Sequence, residues 1–168
     1  MQRVAQLLTF VGILVAAIVA TFGYLYTQAS NDRERLARSF AEALADVNTF
    51  RFVPFQVRRR DATPDSRREL TKLVTKAQDR LDYHSVLLRL ESPDVADAYI
   101  ELVAVARREI DPKTKSAWES PPVSADRGLN MNLGVEYASP STESAMETCI
   151  AIMRERVGRR SWWRRRRR

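Results

Sequence analysis

No residue between Arg3 and Asp32 carries a charge, and this stretch constrains the chain more than any other. Its centre, LLTFVGILVAAIVATFGYLY from Leu7 to Tyr26, is 20 residues of mostly aliphatic and aromatic side chains. At about 1.5 Å per residue a helix of that length rises roughly 30 Å, the thickness of a bilayer's hydrocarbon core. The run therefore predicts one N-terminal transmembrane helix over residues 1–29. Tyr24 and Tyr26 at its end suit a headgroup boundary. A cleaved signal peptide is the rival reading, but its apolar core is shorter and Thr27-Gln28-Ala29 is a weak cleavage site. Arg33, Arg35 and Arg38 outnumber Arg3 on the opposite flank, which predicts a single-pass protein of the cell membrane with its C-terminal domain in the cytoplasm. Gly12 and Ala16 offer a small-residue helix-pairing face.

The rest of the chain is expected to be one all-α domain. "NDRE", Asn31 to Glu34, reads as a helix cap followed three residues later by Glu, with Leu36, Phe40, Leu44 and Val47 as an apolar stripe. It starts either a new helix or the continuation of the anchor. Thr63-Pro64-Asp65 and Ser92-Pro93-Asp94 each supply a hydroxyl cap, a proline for the first helical position and an acid for the first turn. The first of these helices aligns Leu70, Leu73, Val74, Ala77, Leu81 and Leu88. The second aligns Val95, Ala98, Tyr99, Leu102, Val105, Ala106 and Ile110, and is expected to stop at Asp111-Pro112. A last helix from about Ser139 carries Met146, Cys149, Ile150, Met153 and Val157 and is expected to end at Gly158. Helices joined by short turns predict an antiparallel bundle over residues 30–158, interrupted by a long irregular insertion at about 112–139 with a short extended piece at "LGVEY". "FRFVPFQVRRR", Phe50 to Arg60, reads as a segment between helices, either a cap on the membrane-facing end or a loop tucked onto the core.

The order of parts carries a resemblance. "RERLARSFAEAL", "RRELTKLVTKAQDRL", "LLRLESPDVADAYIELV" and "METCIAIMRERVG" behind an N-terminal apolar run resemble the uncharacterised membrane-anchored helical-bundle proteins of actinobacteria and their phages. The resemblance covers the chain apart from 112–138. It implies an architecture and no chemistry.

Charge is distributed unevenly. The net charge is +7, yet from Arg154 onward nine arginines face one acid, leaving 19 Lys/Arg against 20 Asp/Glu in the remainder. The basic excess thus sits in the tail, residues 159–168, ending in SWWRRRRR. Trp162, Trp163, Arg164, Arg165, Arg166, Arg167 and Arg168 are the expected contact residues for lipid or phosphate. Guanidinium groups bind phosphate from either source, and tethering near a bilayer favours anionic lipid. Nucleic acid is the competing partner.

Catalysis is not expected. His84 is the one histidine, which excludes a multi-histidine metal site and leaves a hydrolase dependent on that residue as the residual alternative; it reads as a packed or surface side chain. Cys149, the one cysteine, falls on an apolar helix face and reads as a buried thiol. Asp94, Asp97 and Glu101 share a helix face and read as an ion-pair surface toward Lys72, Lys76 and Arg80 rather than a metal site. No phosphate loop, Cys-x-x-Cys or Gly-x-Ser-x-Gly occurs, so no cofactor is expected. The sequence leads to an interaction or scaffold module on a membrane anchor, with an unidentified protein partner; a membrane-tethered nucleic-acid binder using the tail is the alternative.

Overall fold

The computed structural model describes the backbone of residues 2–124 and 138–162 and the side chains of 19–124 and 138–158. Among the described residues there are four helices: α1 (Gln2–Arg58), α2 (Pro64–Glu91), α3 (Pro93–Glu119) and α4 (Pro140–Trp162). The chain divides into two units, Met1–Arg38 and Ser39–Arg168, and α1 contributes to both.

In the first unit the apolar run is helical, and Val19, Phe22, Tyr24, Leu25 and Tyr26 are exposed. The transmembrane helix, and with it the single-pass architecture and the cell-membrane localisation expected from the sequence, is corrected: among the described residues no helix is long and apolar enough to cross a membrane. Directly after Tyr26 the same helix carries the polar residues Thr27 and Gln28 and then the charged residues Asp32 and Arg33. The side chains of Leu7 to Ile18, including the Gly12/Ala16 pair, lie outside the described residues. "NDRE" starts no helix, because Asn31 to Glu34 lie within α1.

The second unit is an up-down-up-down bundle, antiparallel as apolar-faced helices joined by short turns predict. Its polar contacts give the helix directions. Ser39 at the start of this stretch of α1 reaches Glu91 at the end of α2, whereas Asp46 meets Arg80 midway, so the two run antiparallel. Arg107 of α3 bonds Asp82 of α2, and Arg156 of α4 bonds Asp94 of α3. The core is one stripe from each helix: Phe40, Ala43, Val47, Phe50, Val53 and Val57; Ala77, Leu81, His84 and Leu88; Val95, Tyr99, Leu102, Ala106 and Ile110; Met146, Cys149 and Met153. Burial of each larger side chain contributes about 1.5–3 kcal/mol.

Three expected breaks are not breaks. Pro54 lies inside α1, so Phe50 to Arg58 is helix rather than a linking segment. Phe50, Val53 and Val57 are fully buried at helical spacing, and their burial outweighs the missing proline N–H. Pro112 likewise lies inside α3, which runs eight residues past the expected stop at Asp111. Pro112 itself is exposed, so the carbonyl left without a donor can be solvated, while Ala117 beyond it is buried. The irregular insertion is therefore shorter than 112–139 at its N-terminal side; "LGVEY" lies outside the described residues. Gly158 is passed by α4, where it adopts no left-handed conformation.

The helix starts follow the sequence more closely. Thr63 accepts from the Ser66 N–H at 3.2 Å, with Pro64 in the first turn of α2. Ser92 precedes Pro93 as expected, but its hydroxyl makes no cap bond and is buried without a partner. The start of α4 is held from outside: Glu109 of α3 accepts from both the N–H (2.9 Å) and the hydroxyl (2.7 Å) of Thr142. A carboxylate there also meets the positive end of the α4 dipole. Arg51 of α1 adds bonds to Ser139 and Glu143.

Candidate functional site

Helix α2 presents apolar residues on two faces. Ala77, Leu81, His84 and Leu88 turn inward. Tyr83, Val86 and Leu90, spaced i, i+3 and i+7, lie on one outward side and are 55%, 59% and 80% exposed. Scattered exposed apolar residues are ordinary, but a row at helical spacing forms a continuous strip one to two turns long. Asp82 and Arg89, seven residues apart, flank the strip on one edge. Tyr83 is held in place, its ring edge-on to His84 at 5.1 Å and beneath the Arg80 guanidinium at 5.9 Å.

A polar cluster on α2 runs from exposed Arg80 to buried His84, both meeting Asp46 of α1. Arg80 Nε donates to Asp46 Oδ2 at 2.8 Å, and His84 Nε2 lies 2.8 Å from the same oxygen. His84 is fully buried, and although the separation is that of an ion pair, the N–H direction is off-line, so neither ring nitrogen makes an aligned hydrogen bond. Tyr99, also fully buried, donates a long 3.4 Å bond to the Ala43 carbonyl. Burial, then the nearby Asp46 charge, pushes its phenol well above the ordinary range.

These placements answer the sequence candidates one by one. His84 is packed, facing Asp46 rather than solvent. Cys149 is buried and free, and burial pushes its thiol up to about 11, so the nucleophilic thiolate is suppressed. The carboxylates of α3 do not face the basic residues of α2 in the expected pairs. Asp94 bonds Arg156, Arg80 bonds Asp46, and Lys72 bonds Glu69 on its own helix. Among the described residues no group of three or more His, Cys, Asp or Glu could hold a metal ion. The side chains of Trp162, Trp163 and Arg164 to Arg168 lie outside the described residues.

Two features were not anticipated from the sequence. One is the outward strip itself; its signal was present, since α2 carries more apolar residues than one face can hold. The other is Arg60, which joins the ends of α1 and α3. Its guanidinium donates to the carbonyls of Ala117 (2.7 Å), Trp118 (2.8 Å), Ser120 (2.5 Å) and Val57 (3.0 Å). Trp118 lies against both Arg60 and Arg67, at 5.2 and 5.7 Å from ring centroid to guanidinium carbon. Burial lowers the Arg60 pKa, helped by the charges of Arg67 and Arg58.

Comparison of the chain with protein families, with curated protein sequences and with solved structures finds no match.

Proposed function

We propose that this chain is a non-catalytic helical interaction module whose outward face of α2 docks a protein partner, and whose basic tail supplies a second contact with phosphate groups. The observation that carries the reading is the strip of Tyr83, Val86 and Leu90, left exposed on a helix whose opposite face fills the core. Association that covers such a strip removes apolar surface from water, and the anchored Tyr83 ring gives a partner a fixed aromatic contact. The burial of His84 and the raised Cys149 thiol support a non-catalytic role, because neither group is placed to meet a substrate.

The strip is tested by placing a photo-reactive phenylalanine analogue at position 86 of the full chain in cells, with Ala104, exposed on α3, as the control position. Covalent capture of a protein at 86 and none at 104 is the expected result; no adduct at 86 overturns the reading. For the tail, the preferred ligand is the phosphate of anionic lipid headgroups, met by Arg164 to Arg168 with Trp162 and Trp163 at the interface. The full chain should bind anionic vesicles more tightly than neutral ones, and five Arg→Gln changes should remove the difference. Tighter binding of RNA or DNA than of vesicles of equal charge density would assign the tail to nucleic acid instead.

A further inference from the structure

We propose that the partner seated on the outer face of α2 is a second copy of this chain, with the two α2 helices antiparallel across a twofold axis. The inference rests on the reading of that face as a docking surface and names its occupant. Along α2 the exposed residues Tyr83, Val86 and Leu90 follow the spacing of a helix-pairing seam, three then four residues apart. Asp82 and Arg89 immediately precede the first and last of them, so they repeat at seven residues and line the same edge. Both are exposed; the Asp82 side chain keeps 66% of its surface even while bonded to Arg107.

This charge pattern is self-complementary in one orientation. With the helices antiparallel and the axis near Ser85, Tyr83 and Val86 of one copy meet Val86 and Tyr83 of the other. Asp82 of each copy then comes beside Arg89 of the other, forming two equivalent opposite-charge pairs. A parallel pairing sets these edge positions against residues five further along, which places Asp82 against Leu87 and leaves the charges without partners. Twofold closure also fits the location of the strip, because a self-complementary patch forms a closed pair rather than an open chain of copies.

The test uses the full chain with Val86→Cys in a Cys149→Ser background and a short bismaleimide crosslinker. Covalent dimers are expected at position 86 and not with Ala104→Cys. Asp82→Arg or Arg89→Asp alone should each raise the concentration needed for crosslinking roughly ten-fold, because two like-charge pairs replace two opposite ones. The double exchange, Asp82→Arg with Arg89→Asp, should bring it back. Arg107→Ala controls for the bond that Asp82 makes within its own chain, and should leave crosslinking unchanged. Absence of dimers at 86, or dimers indifferent to all the charge variants, overturns the pairing. If position 86 captures a different protein in cells while no dimer forms, the docking surface stands and self-association falls; if it captures nothing, both fall.

Discussion

The guanidinium of Arg60, just beyond the end of α1, donates a 2.7 Å hydrogen bond to the main-chain carbonyl of Ala117 near the end of α3. The last carbonyls of any helix lack intrahelical donors, and here one buried cation supplies several of them at once while tying two helices together. The Val123 N–H returns a 2.9 Å bond to the Arg60 carbonyl, extending the junction to the residues after α3.

Arg60→Ala should therefore cost about 2–4 kcal/mol in urea unfolding, since it removes charge-assisted bonds and leaves carbonyls without partners. Arg60→Lys should recover only part of this, because an ammonium cannot span carbonyls that a planar fork reaches together. A loss below about 0.5 kcal/mol would show that water replaces the guanidinium at no cost.

Cys149 should be unreactive toward thiol reagents in the folded protein at neutral pH and react at the rate of a free cysteine in denaturant. Burial hides the sulfur and holds its pKa up at about 11, so both access and thiolate are lacking. Labelling in increasing urea should follow the unfolding curve measured by circular dichroism. Rapid labelling without denaturant would place α4 outside the bundle.

Much of the bundle was legible because its evidence is local. Thr63-Pro64 starts a helix within four residues of chain, and the apolar spacing of Leu102, Ala106 and Ile110 reports its own buried face. The segment Phe50 to Arg60, Pro112 and Gly158 misled for the complementary reason: the cost of a proline within a helix is local, but what outweighs it at Pro54 and Pro112 is tertiary burial of Val57 and Ala117. The three arginines ending "FRFVPFQVRRR" looked alike in sequence, yet only contact with a helix end some 57 residues away distinguishes Arg60. The pairing of Asp46 with Arg80 and His84 is hidden for the same reason. The apolar N-terminal run was read from its lack of charge, its composition and its length, whereas among the described residues no helix is long and apolar enough to cross a membrane.

Leu102 and Val86 are both apolar helix residues, and they should respond oppositely to an introduced charge. Leu102 is fully buried, so Leu102→Asp leaves a carboxylate without a partner in the core and should leave no folded domain by circular dichroism. Val86 faces outward, and Val86→Asp should change the unfolding free energy of the isolated copy by no more than about 0.5 kcal/mol. Equal destabilisation by both would mean that the outer strip is covered within a single chain.

Glu109 sets how the bundle responds to acid. Burial alone would raise its carboxyl, but the hydrogen bonds from the Thr142 hydroxyl and N–H, with the Lys113 charge, outweigh burial and hold it below the ordinary range. The folded state thus favours the ionised form more than the unfolded chain does. The stabilisation is complete above the unfolded value of about 4.3, and it is lost as pH falls from there through the depressed folded value. Glu109→Gln should cost roughly 1–2 kcal/mol at neutral pH, since the amide oxygen still accepts from Thr142 but without charge. Its stability should also fall less steeply than that of the native chain between about pH 5 and pH 3. Urea midpoints measured across that window for both proteins test the assignment, and parallel acid curves would show that the carboxylate at the start of α4 has the same affinity for its proton folded and unfolded.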